Sequence, residues 1–145
     1  MNGEKETRIN SRAQALGGTQ GIYSKETYCY DTTNGNLASK AGVNYGYLDT
    51  AHAHAVTHLN NVQKYWYDAN GNQTRRIVGS YTYDLTYDAE NRLVEVKKGG
   101  VTIASFVYNG DGERVKSTIG GVVTAFVGNH LEWTGSTTTM KKYYY

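Results

Sequence analysis

The sequence predicts an all-β fold: an antiparallel meander of repeated hairpins that forms an open, curved sheet or part of a β-shell. Two observations support this prediction. A Tyr-Asp pattern recurs about every twenty residues, and glycine turns lie between its copies. A fixed period of this length is typical of one supersecondary unit stacked many times. No segment of the sequence has the length and apolar periodicity of a long helix.

The Tyr-Asp pattern is clearest in YDANGN, which begins at Tyr67, and in YDAENR, which begins at Tyr87. Weaker copies begin at Tyr30 and Tyr108, and Tyr47 falls where another copy is due. The steps between these five tyrosines are 17, 20, 20 and 21 residues. The predicted turn residues of the repeats are Tyr30, Asp31, Gly35, Asn36, Tyr67, Asp68, Asn70, Gly71, Asn72, Tyr87, Asp88, Asn91, Arg92, Tyr108, Gly110 and Gly112.

Turn chemistry explains why tyrosine and aspartate occur together. Adjacent strand residues point to opposite faces, so the tyrosine packs inward while the aspartate stands at the turn. The aspartate then accepts backbone N–H bonds in an Asx-turn. Pairs such as Asn70-Gly71 and Asn34-Gly35 supply the left-handed positions of that turn. The functional alternative is a row of tyrosines that binds sugar, because aromatic rings with polar tips suit such surfaces.

A second glycine turn lies within each repeat, at 79–80, 99–100 and 120–121. Gly-Gly and Gly-Ser between β-branched residues indicate two-residue hairpins, because primed turns need positive φ at one or both central residues. We therefore predict that 73–78 pairs with 81–88, 92–98 with 101–108, and 113–119 with 122–127.

Period-two alternation supports these strands. One set of alternate residues in the segment 81–88 is Tyr, Tyr, Leu and Tyr, and the other set is Thr, Asp, Thr and Asp. One face of the sheet is therefore predicted to be apolar and the other wetted. The segment 101–108 is apolar on both faces, which predicts that part of the sheet is covered.

The ends of the chain differ from the repeats. Residues 1–20 are polar and have no period, so we predict a disordered or loosely attached lead-in, followed by the repeat sheet over 21–145. An open sheet leaves an edge strand at each end, which predicts pairing with other repeats or with other copies of the chain. The final run Tyr143 to Tyr145 is one such predicted edge.

Charge and composition argue against several classes of function. The net charge is +2, and the adjacent basic pairs are Arg75-Arg76, Lys97-Lys98 and Lys141-Lys142. Such scattered charge does not indicate nucleic-acid binding and is typical of a solvated surface. No span of eighteen apolar residues predicts a membrane segment, and the charged residues 1–16 do not resemble a signal peptide. A single cysteine, Cys29, rules out an internal disulfide.

His52, His54 and His58 form the one cluster whose spacing could hold a metal. On a strand the first two would share a face, and Asp49 is the nearest carboxylate in the sequence. Zinc sites use three or four ligands with a supporting second shell, which this segment does not supply. A connector whose histidines contact neighbouring backbone is the simpler interpretation, so no metal or other cofactor is predicted.

The sequence contains no catalytic motif. Residues 68–72 resemble the opening of a calcium loop, but Gly79 stands at the twelfth position, where a bidentate Glu is required. A nucleophile elbow, a phosphate-binding loop and a dinucleotide fingerprint are not found. The sequence therefore predicts a protein that is not an enzyme.

The segment from Tyr67 to Arg92 resembles the Rhs family of YD-repeat proteins, which includes bacterial polymorphic toxins, insecticidal toxin components and the animal teneurins. The resemblance extends to HAHAV at 52–56, to FVYNGDG at 106–112 and to the residues from Glu132 to Tyr145. It covers about residues 22 to 145, most clearly from Tyr65 onward.

The resemblance implies a long β-ribbon that spirals into a hollow shell around a toxic C-terminal domain. It implies secretion or cell-surface delivery, and a release site with an Asp-Pro motif. This chain contains no proline, so that motif does not occur in it. Five or six repeats are too few to close a cavity that could hold a folded domain. We therefore expect a segment of such a shell.

Three functions remain as hypotheses from the sequence. The first is a non-catalytic shell segment whose partners are other Tyr-Asp repeats, further copies of the chain, or an enclosed toxin domain. The second is a β-module that binds carbohydrate at a cell surface, which the fourteen tyrosines would suit. The third is a metal-dependent hydrolase built on the three histidines. The sequence does not identify the parent protein, the cargo, the delivery route or the oligomeric state.

Overall fold

The computed structural model describes residues 5–8, 26–128, 131–135 and 141–142. In this part of the chain all regular secondary structure consists of β-strands, which form two open sheets of six and nine strands. Within each sheet every strand pairs with its neighbour in the sequence, and all pairs are antiparallel. The predicted all-β meander of hairpins is confirmed.

The first of two compact units comprises Met1–Lys64. It contains six strands: β1 (Lys5–Arg8), β2 (Glu26–Tyr30), β3 (Leu37–Lys40), β4 (Val43–Gly46), β5 (His58–Leu59) and β6 (Val62–Gln63). The sheet predicted over 21–145 is thus divided after β6. Strands β5 and β6 have two residues each and pair with one another in a short hairpin, and this ladder ends at Gln63.

The second compact unit comprises Tyr65–Tyr145. It contains nine strands: β7 (Tyr65–Tyr67), β8 (Gln73–Val78), β9 (Tyr81–Tyr87), β10 (Leu93–Lys98), β11 (Val101–Tyr108), β12 (Arg114–Ile119), β13 (Val122–Val127), β14 (Leu131–Thr134) and β15 (Lys141–Lys142). The three predicted hairpins are confirmed as β8 with β9, β10 with β11, and β12 with β13.

Part of the predicted lead-in over 1–20 is a strand. Lys5–Arg8 pairs with β2, and the register places Arg8 opposite Glu26. Backbone pairing at a sheet edge needs no apolar side chain, which explains how so polar a segment joins the ladder. The other residues of the lead-in, and the predicted edge Tyr143 to Tyr145, lie outside the described residues.

The glycine turns adopt the backbone that the hairpins require. At Gly99-Gly100 the φ angles are 57° and 83°, both positive, as in a type I′ turn. At Gly79-Ser80 only the glycine is positive, at 58°, as in a type II′ turn. Each turn is a two-residue loop between consecutive strands, and this loop length fixes the register of the hairpin.

Two further hairpins escape sequence analysis because their turns do not begin with glycine. Ala41 and Gly42 join β3 to β4 with φ angles of 49° and 80°. Asn60 and Asn61 join β5 to β6 with φ angles of 48° and 64°. Asparagine tolerates the left-handed region, whereas alanine is strained there.

Strand alternation in the second unit defines two faces, named here from residues of β9. The tyrosine face carries Tyr81, Tyr83 and Leu85, and the register adds Arg76 and Lys98 as the partners of Tyr83. The aspartate face carries Asp84, whose partners are the adjacent residues of β8 and β10. The predicted period of two therefore holds along this strand.

Burial in the sheets is shallow. Ala104, 9% exposed, is the one buried apolar residue in the described part of the chain. Val101 and Val107 remain 67% and 49% exposed. Ala104 itself lies on this strand, and the prediction that part of the sheet is covered stays a prediction. An open sheet leaves both faces of a strand accessible, whatever the polarity of its side chains.

Irregular pairing recurs at one place in each repeat. The second residue after each Tyr-Asp loop has no direct partner in the preceding strand. Two residues therefore lie opposite one residue of that strand, which is a β-bulge. These unpaired residues are Ala38, Thr74, Val94 and Val115. A further bulge lies between β10 and β11, where Val96 pairs with Ala104 but Lys97 pairs with Thr102. A bulge bends its strand and increases the local twist.

Candidate functional site: the stacked Tyr-Asp loops

The Tyr-Asp loops, residues 31–36, 68–72, 88–92 and 109–113, connect consecutive hairpins. In the second loop Asp68 Oδ1 accepts the backbone N–H groups of Asn70 and Asn72, at 3.0 and 2.9 Å. The backbone N–H of Asp68 donates to the carbonyl of Asn72 at 3.0 Å and closes the loop. This is the Asx-turn that the Tyr-Asp pattern predicts.

The next two loops repeat this arrangement. Asp88 Oδ1 accepts the N–H groups of Glu90 and Arg92, at 3.0 and 2.9 Å. Asn109 stands in the equivalent place, and its Oδ1 accepts the N–H groups of Asp111 and Glu113, at 3.1 and 2.9 Å. A single side-chain oxygen is therefore the essential group, and either Asp or Asn provides it.

The fourth residue of each five-residue loop has a positive φ. The angles are 84° at Gly71, 61° at Asn91 and 82° at Gly112. Gly110 lies in the turn of its loop but is not among the residues with positive φ. The left-handed position is set by its distance from the Asx residue, and asparagine fills it when glycine does not.

The first loop, 31–36, is one residue longer and divides the same task between two side chains. Asp31 Oδ1 accepts the N–H of Thr33 at 2.8 Å, and Asn34 Oδ1 accepts the N–H of Asn36 at 2.9 Å. Gly35 takes the left-handed conformation with φ of 74°. Asn36 is 8% exposed, so this loop is anchored in its own unit.

Successive loops are joined to one another by side chains. Asn91 Oδ1 accepts hydrogen bonds from the amide groups of Asn70 and Asn72, at 2.9 and 2.8 Å. In the following step Arg92 Nη1 donates to the carbonyl of Asn109 at 3.5 Å. The three loops of the second unit therefore form a continuous polar row.

The tyrosines of the pattern join consecutive repeats through their hydroxyl groups. Tyr108 donates to the carbonyl of Leu93 at 2.9 Å, and Tyr87 donates to that of Gln73 at 3.3 Å. In each case the acceptor is the first residue after the preceding Tyr-Asp loop. Tyr47, the copy without a full motif, donates in the same way to Leu37 at 3.0 Å.

Sequence analysis did not find these hydroxyl contacts, although the composition contained a signal. The chain has fourteen tyrosines and two phenylalanines. Inward packing alone would not favour tyrosine over phenylalanine, whereas a hydroxyl that must reach a carbonyl would. At Tyr47, Tyr87 and Tyr108 the choice of tyrosine therefore reflects a hydrogen bond between repeats.

Asp88 is the most strongly supported carboxylate of the row. The backbone N–H of Arg92 lowers the pKa of Asp88, and the Arg92 guanidinium, with Nε 2.7 Å from Oδ2, lowers it further. The same pair raises the pKa of Arg92. Arg92 also pairs with Glu90 at 2.6 Å and lies 5.0 Å from the ring centroid of Tyr108. It thus links its own loop to the next tyrosine.

The three histidines do not form a metal site. His52 Nδ1 lies 2.8 Å from Asp49 Oδ2, His54 Nδ1 2.7 Å from Asn36 Oδ1, and His58 Nδ1 2.9 Å from Thr57 Oγ1. The partners of these three nitrogens are side chains, and the expected backbone contacts stay a prediction. His52 and His54 lie in a turn segment, where no strand alternation places them on one face.

Hydrogen bonds of the histidine segment stabilise the first unit. Thr57 is 4% exposed; its hydroxyl donates to the carbonyl of Gly46 and accepts the N–H of Leu48, at 3.1 and 3.0 Å. The hydrogen bond to His52 lowers the pKa of Asp49. In the described ranges no three His, Cys, Asp or Glu residues are grouped so that they could hold a metal ion.

Comparison with known proteins adds no relative. No protein-family model matches the chain, and no curated protein shows significant similarity to it. In the described part of the chain no helix is long and apolar enough to cross a membrane.

Proposed function

We propose that this chain is a structural segment of an Rhs/YD-repeat shell that encloses a toxin or effector domain, and that it has no catalytic activity of its own. The observation that supports this most is the common construction of successive repeats. The three loops of the second unit form the same Asx turn and each is followed by the same bulge, and Tyr87 and Tyr108 each donate a hydrogen bond to the repeat before. Units joined only to their sequence neighbours can be stacked in any number.

The chemistry of the loops favours a scaffold. Their carboxylate and amide groups are directed at backbone N–H groups and at neighbouring loops, as with Asp88 and Asn91. Groups engaged in this way stabilise a turn and are not available to a substrate. The loop row therefore serves to hold one repeat against the next.

The bulges favour a ribbon that curves. Each one bends its strand at the same place relative to the Tyr-Asp loop, and bends of one sense accumulate along a sheet. The partners of the segment would be further Tyr-Asp repeats of a larger shell or other copies of the chain, paired through open sheet edges. By the family resemblance, the assembled shell would act outside the cell that makes it.

Repeat insertion tests the scaffold. One additional copy of residues 88–108 is placed after Tyr108, and a control chain receives the same 21 residues in shuffled order. The copy in native order should raise both the β signal in circular dichroism and the free energy of unfolding, because it adds a complete stack of contacts. If it behaves like the shuffled insert, the repeats are not interchangeable units.

Protection of a reporter tests enclosure. An array extended to many repeats and followed by a small reporter domain should shield the reporter from added protease, while the unextended chain with the same reporter should not. Equal cleavage of the reporter in both chains would show that the repeats do not enclose a domain, although they could still form a scaffold.

The carbohydrate-binding alternative has less support. Two of the exposed aromatic side chains, Tyr81 and Trp133, are 53% and 36% exposed. Trp133 pairs with Ala125, which pairs with Lys116 on the aspartate face, so the two rings lie on opposite faces. A sugar platform needs well-exposed aromatic rings on one surface, whereas Tyr83, which shares the tyrosine face with Tyr81, is only partly exposed.

A further inference from the structure

The two basic pairs Arg75-Arg76 and Lys97-Lys98 lie on either side of β9 and divide their charges between the faces of the sheet. Arg75 and Lys97 are both opposite Asp84, whereas Arg76 and Lys98 are both opposite Tyr83. Adjacent residues of a strand point to opposite faces. Each face therefore has two cations, one on each side of a central residue.

On the aspartate face the cations are neutralised. Arg75 Nε lies 2.6 Å from Asp84 Oδ1, and Lys97 Nζ lies 3.1 Å from Glu95 Oε2. Glu95 also accepts a hydrogen bond of 2.7 Å from Thr102. Both cations beside Asp84 therefore have a carboxylate partner.

On the tyrosine face the cations lie over aromatic rings. The Arg76 guanidinium is 5.4 Å from the ring centroid of Tyr83, and Lys98 Nζ is 3.7 Å from that of Tyr81. Neither cation forms an ion pair with a carboxylate in the described part of the chain. Rings hold the cations in place without cancelling their charge.

The carboxylates of the strands confirm this asymmetry. Those on β8 to β13 are Asp84 and Glu95, and both lie on the aspartate face: Asp84 is opposite Arg75 and Lys97, and Glu95 is opposite Thr86. Glu132 on β14 lies on the tyrosine face as the partner of Phe126, and its own register partner on β15 is Lys141. The tyrosine face of β8 to β13 is thus cationic in the described residues.

An exposed apolar strip adjoins these two cations. It consists of the hairpin-end residues of the tyrosine face, which are 53 to 67% exposed: Val78, Tyr81, Val101, Ile119 and Val122. With Lys98 they cross six neighbouring strands, a distance of about 24 Å at the usual strand spacing. Contiguous exposed apolar residues beside unneutralised charge mark an interaction surface.

We propose that this strip, with Arg76 and Lys98, is a docking surface for an acidic polypeptide segment that alternates apolar and carboxylate side chains. The cations supply charge complementarity, and the apolar residues supply area that is removed from water on binding. Four of the five strip residues are aliphatic, which suits apolar side chains better than sugar rings. The surface belongs to the second unit alone and does not depend on the proposed shell.

Fluorescence anisotropy with labelled synthetic peptides tests the surface. An extended peptide needs about eight residues to span 24 Å, so the probes are a Leu-Glu repeat and a Leu-Lys repeat of that length. A uronic-acid oligosaccharide is the third probe. The full chain should bind the Leu-Glu peptide, and should bind neither the Leu-Lys peptide nor the sugar.

Matched variants locate the site. The double variant Arg76→Ala/Lys98→Ala should weaken binding of the Leu-Glu peptide about tenfold, the effect of losing two partly exposed ion pairs. Arg75→Ala/Lys97→Ala removes the same charge from the aspartate face and should leave the affinity unchanged. Equal weakening by both variants would overturn the proposal, as would tighter binding of the sugar or of the Leu-Lys peptide.

A further substitution tests the strip if the variant Arg76→Ala/Lys98→Ala does not fold. If Arg76→Ala/Lys98→Ala loses β signal in circular dichroism, Val101→Ser takes its place, because this residue is 67% exposed and ends a hairpin. Weaker binding of the Leu-Glu peptide by Val101→Ser supports the strip, and unchanged binding overturns it.

Discussion

The hydroxyl of Tyr108 lies 2.9 Å from the carbonyl oxygen of Leu93 and joins one repeat to the repeat before it. Leu93 is the residue that follows the preceding Tyr-Asp loop, and the bulged residue Val94 comes next. The tyrosine of the pattern therefore binds a residue 15 positions earlier in the chain. It positions the irregular part of the neighbouring hairpin.

Tyr108→Phe should lower the free energy of unfolding by about 1 kcal/mol, the usual net contribution of one hydrogen bond between partly buried groups. Tyr81→Phe is the control, since the hydroxyl of this half-exposed residue makes no hydrogen bond to the described residues. Urea titration followed by circular dichroism measures both. Equal effects of the two substitutions on the free energy of unfolding would show that the Tyr108 hydroxyl does not stabilise the contact between repeats.

Asn91 combines a left-handed backbone with the contact between two loops. Asn91→Gly removes the side-chain acceptor of Asn70 and Asn72 together with the Cβ that stands at φ of 61°, whereas Asn91→Ala removes the acceptor and keeps that Cβ. Both variants should be less stable than the parent, and the alanine variant by about 1 kcal/mol more. An alanine variant as stable as the parent would show that the bonds between loops contribute nothing, because alanine keeps the Cβ and loses only the acceptor.

Ala41 is strained in the parent chain. Ala41→Gly should raise the free energy of unfolding by about 1 kcal/mol, because glycine adopts a φ of 49° without a Cβ clash. Gly42→Ala should have the opposite effect at a φ of 80°. Thermal or urea unfolding of the two single variants gives the sign directly, and a destabilised Ala41→Gly would contradict the assigned turn.

Acid should lower the stability of the second unit, because it protonates a carboxylate of the Tyr-Asp loops. Hydrogen bonds from Arg92 hold the pKa of Asp88 below its ordinary value in the folded chain. The unfolded chain therefore binds the proton more readily, so stability is present above about pH 4 and is lost as the pH falls through the folded pKa. Asp88→Asn should flatten this part of the stability profile.

Asp88→Asn is a conservative test, because Asn109 already forms the same backbone hydrogen bonds in the next loop. Asp111→Asn is the control, since no hydrogen bond or ion pair to the described residues involves the Asp111 carboxylate. Parallel acid titrations of the two variants should differ below pH 4. Coincident curves would show that the Asp88 carboxylate contributes no acid sensitivity.

The sequence predicted the regular part of the second unit because local chemistry determines it. Gly99-Gly100 can form one kind of hairpin, and the alternation of Tyr81 to Asp84 leaves one choice of faces. Ala41 and Asn60 could not be found in this way, since only tertiary pairing forces such residues to a positive φ. The hydroxyl contacts join residues of different repeats, and a pattern within one repeat does not contain them.

The histidine segment shows a different limit of sequence analysis. Its spacing resembles a ligand set, yet each ring nitrogen faces a different polar side chain. Asn36, one of these partners, is 18 residues from His54. Only the folded chain reveals which of several polar neighbours a histidine meets.

The bulge between β10 and β11 accounts for the uneven step of the Tyr-Asp pattern. Strand β9 has seven residues and β11 has eight, and this difference makes one repeat 21 residues long where its predecessor has 20. The additional residue, Ile103, is extruded from the ladder, and Tyr108 still reaches Leu93. The hairpin thereby accommodates a single-residue insertion without shifting the next tyrosine. Repeats of unequal length can therefore keep the same hydrogen bond from a tyrosine hydroxyl to the repeat before it.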